Sequence, residues 1–201
     1  VRVLTVRQPW AWAIVHGGKD VENRVRNLAG GYRGPVAIHA GLAFDRYADD
    51  SDAAWEIRRA ITSAEQGYPA DDGQVWAADC IEEDDARYAT RGSIIGVVDL
   101  TGAHRTTGTP KPFCYEIGVP NGIRDSINAN RGLCSPWAES RPSGWHLELA
   151  NPRALTEPIP FRGALGMRTL PADVAAEIHR VGFRDLPAPI FDNTPKRVTH
   201  A

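Results

Sequence analysis

Residues 7–24 read RQPWAWAIVHGGKDVENR, and the layout of the rest of the chain depends on how this stretch folds. Pro9 suits a first helical position, where its missing N–H would go unpaired in any case. The apolar residues Trp10, Trp12, Ala13, Ile14 and Val15 nearly surround the short helix that follows, so it is expected to plug a barrel or lie between two layers. Gly17 and Gly18 can adopt the left-handed backbone that stops a helix. His16 in the last turn is read as a capping cation rather than a catalytic group. Beyond the glycines, residues 19–24 alternate as a short strand, with Val21 on one face and Asp20, Glu22 and Arg24 on the other.

Working outward, residues 1–6 (VRVLTV) are rich in β-branched side chains and read as a first strand running into the helix. The glycine-rich loop 27–34 (NLAGGYRG) carries Tyr32 and Arg33 into a strand over 35–39, which His39 closes. His39 is either a structural hydrogen-bonding group or a ligand-facing one. Residues 93–100 (SIIGVVDL) form a strand apolar on both faces, and WHLEL at 145–149 alternates as another. Prolines at 152, 158 and 160 then suggest a crossing connection, a last strand near 164–170 and a closing helix over 171–181.

Two segments interrupt this plan. Residues 41–91 are acidic and alanine-rich, with a helix expected over 52–64 on the stripe Ala54, Ile57 and Ile61, Trp55 at its margin, and a second short helix over 77–88. Residues 102–143 are rich in proline and glycine without periodicity, with Phe113, Tyr115, Ile117, Trp137 and the cysteines as buried anchors. One domain is expected over 1–182, carrying both insertions, with 183–201 as an extended tail. Formal charge is −2 overall, yet residues 41–85 hold 13 acidic and 3 basic residues. The rest of the chain is correspondingly basic, enough to attract phosphate, and the acidic excursion can fence one side of it or receive protein partners.

No apolar run approaches the roughly 20 residues that span a bilayer, and no secretory leader is visible, so a cytoplasmic, non-membrane protein is expected. Cys80, Cys114 and Cys134 are odd in number and irregularly spaced, which indicates a reducing compartment rather than a disulfide framework. His104, Cys114, Cys134 and His146 bracket the second insertion, but their spacings match no ligand pattern, so neither a metal nor another cofactor is expected. Phosphate loops, dinucleotide fingerprints and nucleophile elbows are absent. His146 and Glu148 form the H-x-E of zinc deaminases without the accompanying P-C-x-x-C.

QPWA, a glycine pair and K-x-x-E-x-R together resemble the opening of the activating signal cointegrator homology (ASCH) domain. RGPVAIHA, GSIIGVVDL and LELANPRALTEPIPFRGALGMRTL are similar to its later blocks, in the same order. The resemblance covers roughly residues 4–40, 92–101 and 145–170. It implies an α+β, PUA-like mixed β-barrel with flanking helices, here carrying a helical acidic insertion and a long proline-rich loop, related to RNA-binding domains. One branch of the family hydrolyses N4-acylated cytidine nucleosides with a lysine, a threonine and a glutamate. Lys19 matches that lysine, but Glu22 stands where the threonine would be. A carboxylate attacking an amide would form an anhydride, so Glu22 is better suited to activating water.

Two functions follow. As a module for RNA or another nucleic acid, Lys19, Arg24, Arg26 and Arg33 meet phosphate, Trp10 or Tyr32 stacks a base, and Glu22 and His39 complete the site. As a hydrolase of a modified nucleoside or a ribonuclease, Glu22 is the base, Lys19 or Arg24 stabilises developing charge, and Ser93 or His39 assists. The alternative for Lys19, Glu22 and Arg24 is a surface ion-pair network. A third possibility is a protein-interaction module acting through 41–91.

Overall fold

The computed structural model describes residues 1–51, 53–66, 81–107, 114–116 and 131–184. Its centre is a six-stranded mixed sheet in the order β2-β7-β4-β3-β1-β8. The strands are β1 (Arg2–Gln8), β2 (Val21–Arg24), β3 (Gly34–Phe44), β4 (Ser93–Arg105), β7 (Trp145–Pro160) and β8 (Met167–Thr169). A separate two-stranded ribbon pairs β5 (Tyr115–Glu116) with β6 (Arg131–Gly132). Among the described residues three α-helices complete the order: α1 (Trp10–His16), α2 (Ala54–Gln66) and α3 (Ala172–Val181). The fold is α+β, as expected. The barrel is not closed, because β2 and β8 remain the two edges of the sheet.

β1 and β3 run parallel, and α1 lies in the crossover between them. The Gln8 side chain starts the helix, its Oε1 accepting from Trp12 N–H at 3.0 Å while its Nε2 donates to Thr90 O at 3.1 Å. Pro9 occupies the N-cap rather than the first helical position. Gly17 ends the helix with an ordinary negative φ, and Gly18 supplies the left-handed turn at φ 75°. The near-continuous apolar surface of α1 has two partners. Ala11, Ile14 and Val15 pack on the sheet with Leu4, Val36, Ile38 and Leu100. Trp12 and Ala13 face a second cluster with Ile57, Ile61, Tyr88 and Trp137, drawn from both insertions. Burying both faces explains why a seven-residue helix too short to persist alone is stable here.

Several sequence expectations are corrected. Residues 145–160 form one strand, β7, instead of a strand and a crossing connection. Pro152 and Pro158 are tolerated because two of the three β4–β7 register shifts fall beside them, between Val97 and Asp99 opposite 150–153 and between Ile94 and Gly96 opposite 154–159. Bulges there release Pro152 and Pro158 from the ladder. The second insertion begins later than expected, since β4 extends to Arg105. Trp55 is exposed at 55% rather than packed at the helix margin. In the described part of the expected helix 77–88 only a single 3-10 turn, Ala86–Tyr88, forms. Phe113, Ile117, Cys80 and the tail 185–201 lie outside the described residues.

A cationic cleft between β1 and β2

The open side of the sheet holds a cleft of about 1140 Å³. Its walls come from β1, β2, β3, the segment after β6 and the loop 161–166 between β7 and β8. β2 and β1 are not joined by a ladder. The Arg24 guanidinium links them instead, its Nη2 donating to Thr5 O at 2.9 Å and pairing with Glu22 Oε1 at 3.0 Å. The alternation read from the sequence therefore does place Glu22 and Arg24 together on one face.

Lys19 is 97% buried, with its Nζ 5.3 Å from the Trp10 ring centre and 5.6 Å from that of Trp137. Burial pulls its pKa down from the usual lysine range, an effect that Glu22, Glu139 and Asp20 partly offset and Arg24 reinforces. Trp10 is fixed by donating Nε1–H to Asp45 Oδ2 at 3.0 Å. Trp137 is held at both backbone groups: its N–H donates to Ser135 Oγ, and its carbonyl accepts from Asn23 Nδ2 at 2.9 Å. Asn23 Oδ1 in turn accepts from Glu139 N–H at 3.0 Å. The insertion thus forms a wall of the cleft by bonding to β2.

His39 lies on the opposite wall. Its Nε2–H donates to Phe161 O at 2.9 Å, and its Nδ1 is buried with no hydrogen-bond partner among the described residues. Burial lowers its pKa, against the pull of the Phe161 and Gly92 carbonyls, so the ring is held neutral.

Of the residues singled out from the sequence, Trp10, Lys19, Glu22, Arg24 and His39 meet at the cleft. Arg26, Tyr32, Arg33 and Ser93 do not line it. Tyr32 donates to Pro35 O at 2.7 Å and carries Arg2 over its ring, while Arg33 bonds Gly30 O and Tyr32 O. Those two residues brace the 27–34 loop. Ser93 Oγ reaches Arg91 O at 3.4 Å. Sequence reasoning missed Arg7, Asp45, Glu139, Arg141 and Arg162 on the cleft wall. Arg141 pairs with Glu139 at 3.2 Å, whereas Arg7 and Arg162 have no ion pair among the described residues.

The four residues whose linear spacing matches no ligand pattern form a second cluster in space. His104, Cys114, Cys134 and His146 bring one ligand atom each to within 4.8 Å of one another. Hydrogen bonding from Cys134, with help from His104 and His146, pulls the pKa of the Cys114 thiol down, and the contact with Cys114 pushes that of Cys134 up.

Fold and cleft define the class: an α+β protein with an open mixed sheet and a cationic, tryptophan-walled cleft at its unpaired side. No family model matches the chain, and no curated protein sequence matches it. Among solved structures it is similar to the crystal structure of ASCH from Zymomonas mobilis, at 12% identity and a TM-score of 0.40, over 92% of this chain and 97% of that one. Among the described residues no helix is long and apolar enough to cross a membrane.

Proposed function

We propose that the cleft binds single-stranded RNA, seating one nucleotide with its base towards Trp10 and Lys19 and its phosphate at the rim. The observation that carries this reading is the division of the cleft's cations. Arg24 and Arg141 are engaged by Glu22 and Glu139, while Arg7 and Arg162 face the same cleft without a carboxylate partner among the described residues. Free guanidinium groups at a rim suit phosphate oxygens. The volume exceeds the roughly 300–1,000 Å³ of a small-ligand pocket, leaving room for neighbouring sugar and phosphate. RNA is favoured over DNA by the sequence resemblance to a family with RNA-binding relatives. Anisotropy titrations of a short labelled single-stranded RNA against the full chain test the reading. Affinity falling steeply with salt is expected, and no affinity at low salt for any nucleic acid would overturn it.

Hydrolysis of a modified nucleoside is the second reading, and the lowered pKa of Lys19 favours it. A lysine that gives up its proton readily can take one from water attacking an amide carbonyl, with Glu22 beside it as the alternative base. Turnover of an acylated cytidine that vanishes in both Lys19→Ala and Glu22→Ala would select this reading. Full activity in both variants would exclude it.

A further inference from the structure

Outside the cleft, four separate pieces of backbone converge on one cluster of metal-ligating side chains. His104 and His146 are register partners on β4 and β7. Cys114 and Cys134 flank the β5–β6 ribbon, whose base is closed by Cys114 N–H donating to Gly132 O at 2.8 Å. The His146 Nδ1 lies 3.1 Å from Cys114 Sγ and 3.3 Å from Cys134 Sγ.

Each imidazole is oriented by a partner outside the cluster. His104 Nδ1–H donates to Glu148 Oε1 at 2.7 Å, and His146 Nε2–H donates to Glu139 O at 3.1 Å. Those bonds leave the lone pairs of His104 Nε2 and His146 Nδ1 for a ligand. The His104 Nε2 is buried with no hydrogen-bond partner among the described residues. An imidazole fixed by an outer carboxylate or carbonyl is the arrangement that presents a histidine to a metal in the correct tautomer.

We propose that His104, Cys114, Cys134 and His146 form a structural zinc site that ties the second insertion to the central sheet. Zn–S bonds of about 2.3 Å and Zn–N bonds of about 2.0–2.1 Å in a tetrahedron separate ligand atoms by roughly 3.3–3.8 Å. The sulfur–nitrogen contacts and the overall spread of the cluster bracket that spacing. Two sulfurs with two imidazoles suit a borderline-soft ion over magnesium or calcium. Four protein ligands also complete the coordination, so the role is structural rather than hydrolytic. Glu148 belongs to the arrangement as the partner of His104. A Cβ at Gly102 would fall 2.3 Å from Glu148 Oε2, so only glycine there lets the carboxylate reach the ring. The segment leaving Cys134 continues into Ser135, Trp137, Glu139 and Arg141, so the ion would anchor a wall of the cleft.

The test is zinc counting on the full chain, purified under reductant, supplied with Zn²⁺ and freed of excess by gel filtration. About one zinc per chain is expected, with tetrahedral visible bands and a thiolate charge-transfer band when Co²⁺ replaces it. Cys134→Ser should lose stoichiometric zinc. Glu148→Gln and Gly102→Ala should weaken zinc by about 10–100-fold in a chelator competition while keeping the stoichiometry. Substoichiometric zinc in the parent chain, or a cobalt spectrum without thiolate charge transfer, would overturn the site without recourse to any variant. Unchanged affinity in Glu148→Gln would overturn the part given to the outer carboxylate.

Discussion

The Lys19 ammonium nitrogen stands 5.6 Å from the centre of the Trp137 ring, so a residue of the second insertion forms part of the chamber around a lysine of the turn after α1. Two parts of the chain 118 positions apart are thereby one site. The lysine's depressed pKa follows from that enclosure, since burial is its leading cause. Trp137 itself is 99% buried and belongs to the cluster that also holds Trp12, Ile57 and Tyr88. It therefore couples the chemistry of the cleft to the packing of α1 and α2.

Replacing Trp137 with Ala should be expensive for both reasons. Removing a fully buried tryptophan leaves a cavity and costs about 3–5 kcal/mol. Water entering beside Lys19 would also relieve its desolvation, so the lysine pKa should rise towards the ordinary range. Urea denaturation measures the first effect and NMR titration of the lysine side chain the second. Trp137→Phe, which keeps an aromatic face, should show a smaller shift of both.

Lys19 makes stability depend on pH in a definite direction. Its folded-state pKa is lowered, whereas the unfolded chain titrates near about 10.4. Between the two values the unfolded state binds more protons, so stability from this residue rises with pH, and it is lost as pH falls through the folded value. Lys19→Met keeps the length of the side chain and removes the titration. At neutral pH the variant should be at least as stable as the parent, with the gap closing as pH approaches about 10. A gap that stays constant over that range would show that burial does not perturb the lysine.

The turn that carries this site was legible because its signals are local. A glycine pair after an apolar helix and the alternation of Val21 against Glu22 and Arg24 need no knowledge of distant residues. His39 was half legible: the apolar run marked it, but the strand continues past it to Phe44 instead of ending there, and the Phe161 carbonyl that fixes its ring comes from just beyond β7. Arg7, Glu139, Arg141 and Arg162 carried no such signal, since each acts through a fold-level approach of segments. The meeting of His104, Cys114, Cys134 and His146 was hidden for the same reason. His104 and His146 are brought opposite one another by the β4–β7 register, a pairing that linear spacing does not contain. β7 was broken in two on its prolines because a bulge is set by the partner strand as much as by its own residues. The barrel expectation carried the strands correctly and overstated closure: the sheet stays open, and β2 reaches β1 only through the Arg24 side chain on Thr5 O.

If Arg7 and Arg162 are the phosphate contacts, their removal has a signature that general loss of fold does not. Each neutralised contact to a single strand contributes about 0.7 to the slope of log affinity against log salt. Arg7→Ala and Arg162→Ala should each flatten that slope by about this amount, and the double variant by roughly twice as much, with unchanged denaturation midpoints. Arg26→Ala and Arg33→Ala, whose residues do not line the cleft, should leave the slope unaltered. A slope lowered by Arg33→Ala and not by Arg7→Ala would move the phosphate site to the 27–34 loop.

Gly163 tests how closely the loop 161–166 must approach His39. A Cβ built there would sit 2.4 Å from His39 Cε1, 2.7 Å from its Nδ1 and 2.9 Å from Thr5 Oγ1. The ring cannot easily swing away, because its Nε2–H is tied to Phe161 O and it packs edge to face with the Phe161 ring, the centres 5.9 Å apart. Overpacking of this kind costs about 1–3 kcal/mol, so Gly163→Ala should lower stability by that order in urea denaturation. The displaced ring would become better hydrated, and its pKa, now lowered chiefly by burial, should rise. Because the folded value is the depressed one, His39 contributes stability that is present above about 6.5 and lost as pH falls through the folded pKa. Gly163→Ala should therefore also flatten the acid limb of the stability profile. A variant as stable as the parent with an unshifted histidine resonance would mean that the loop does not seal His39 in solution.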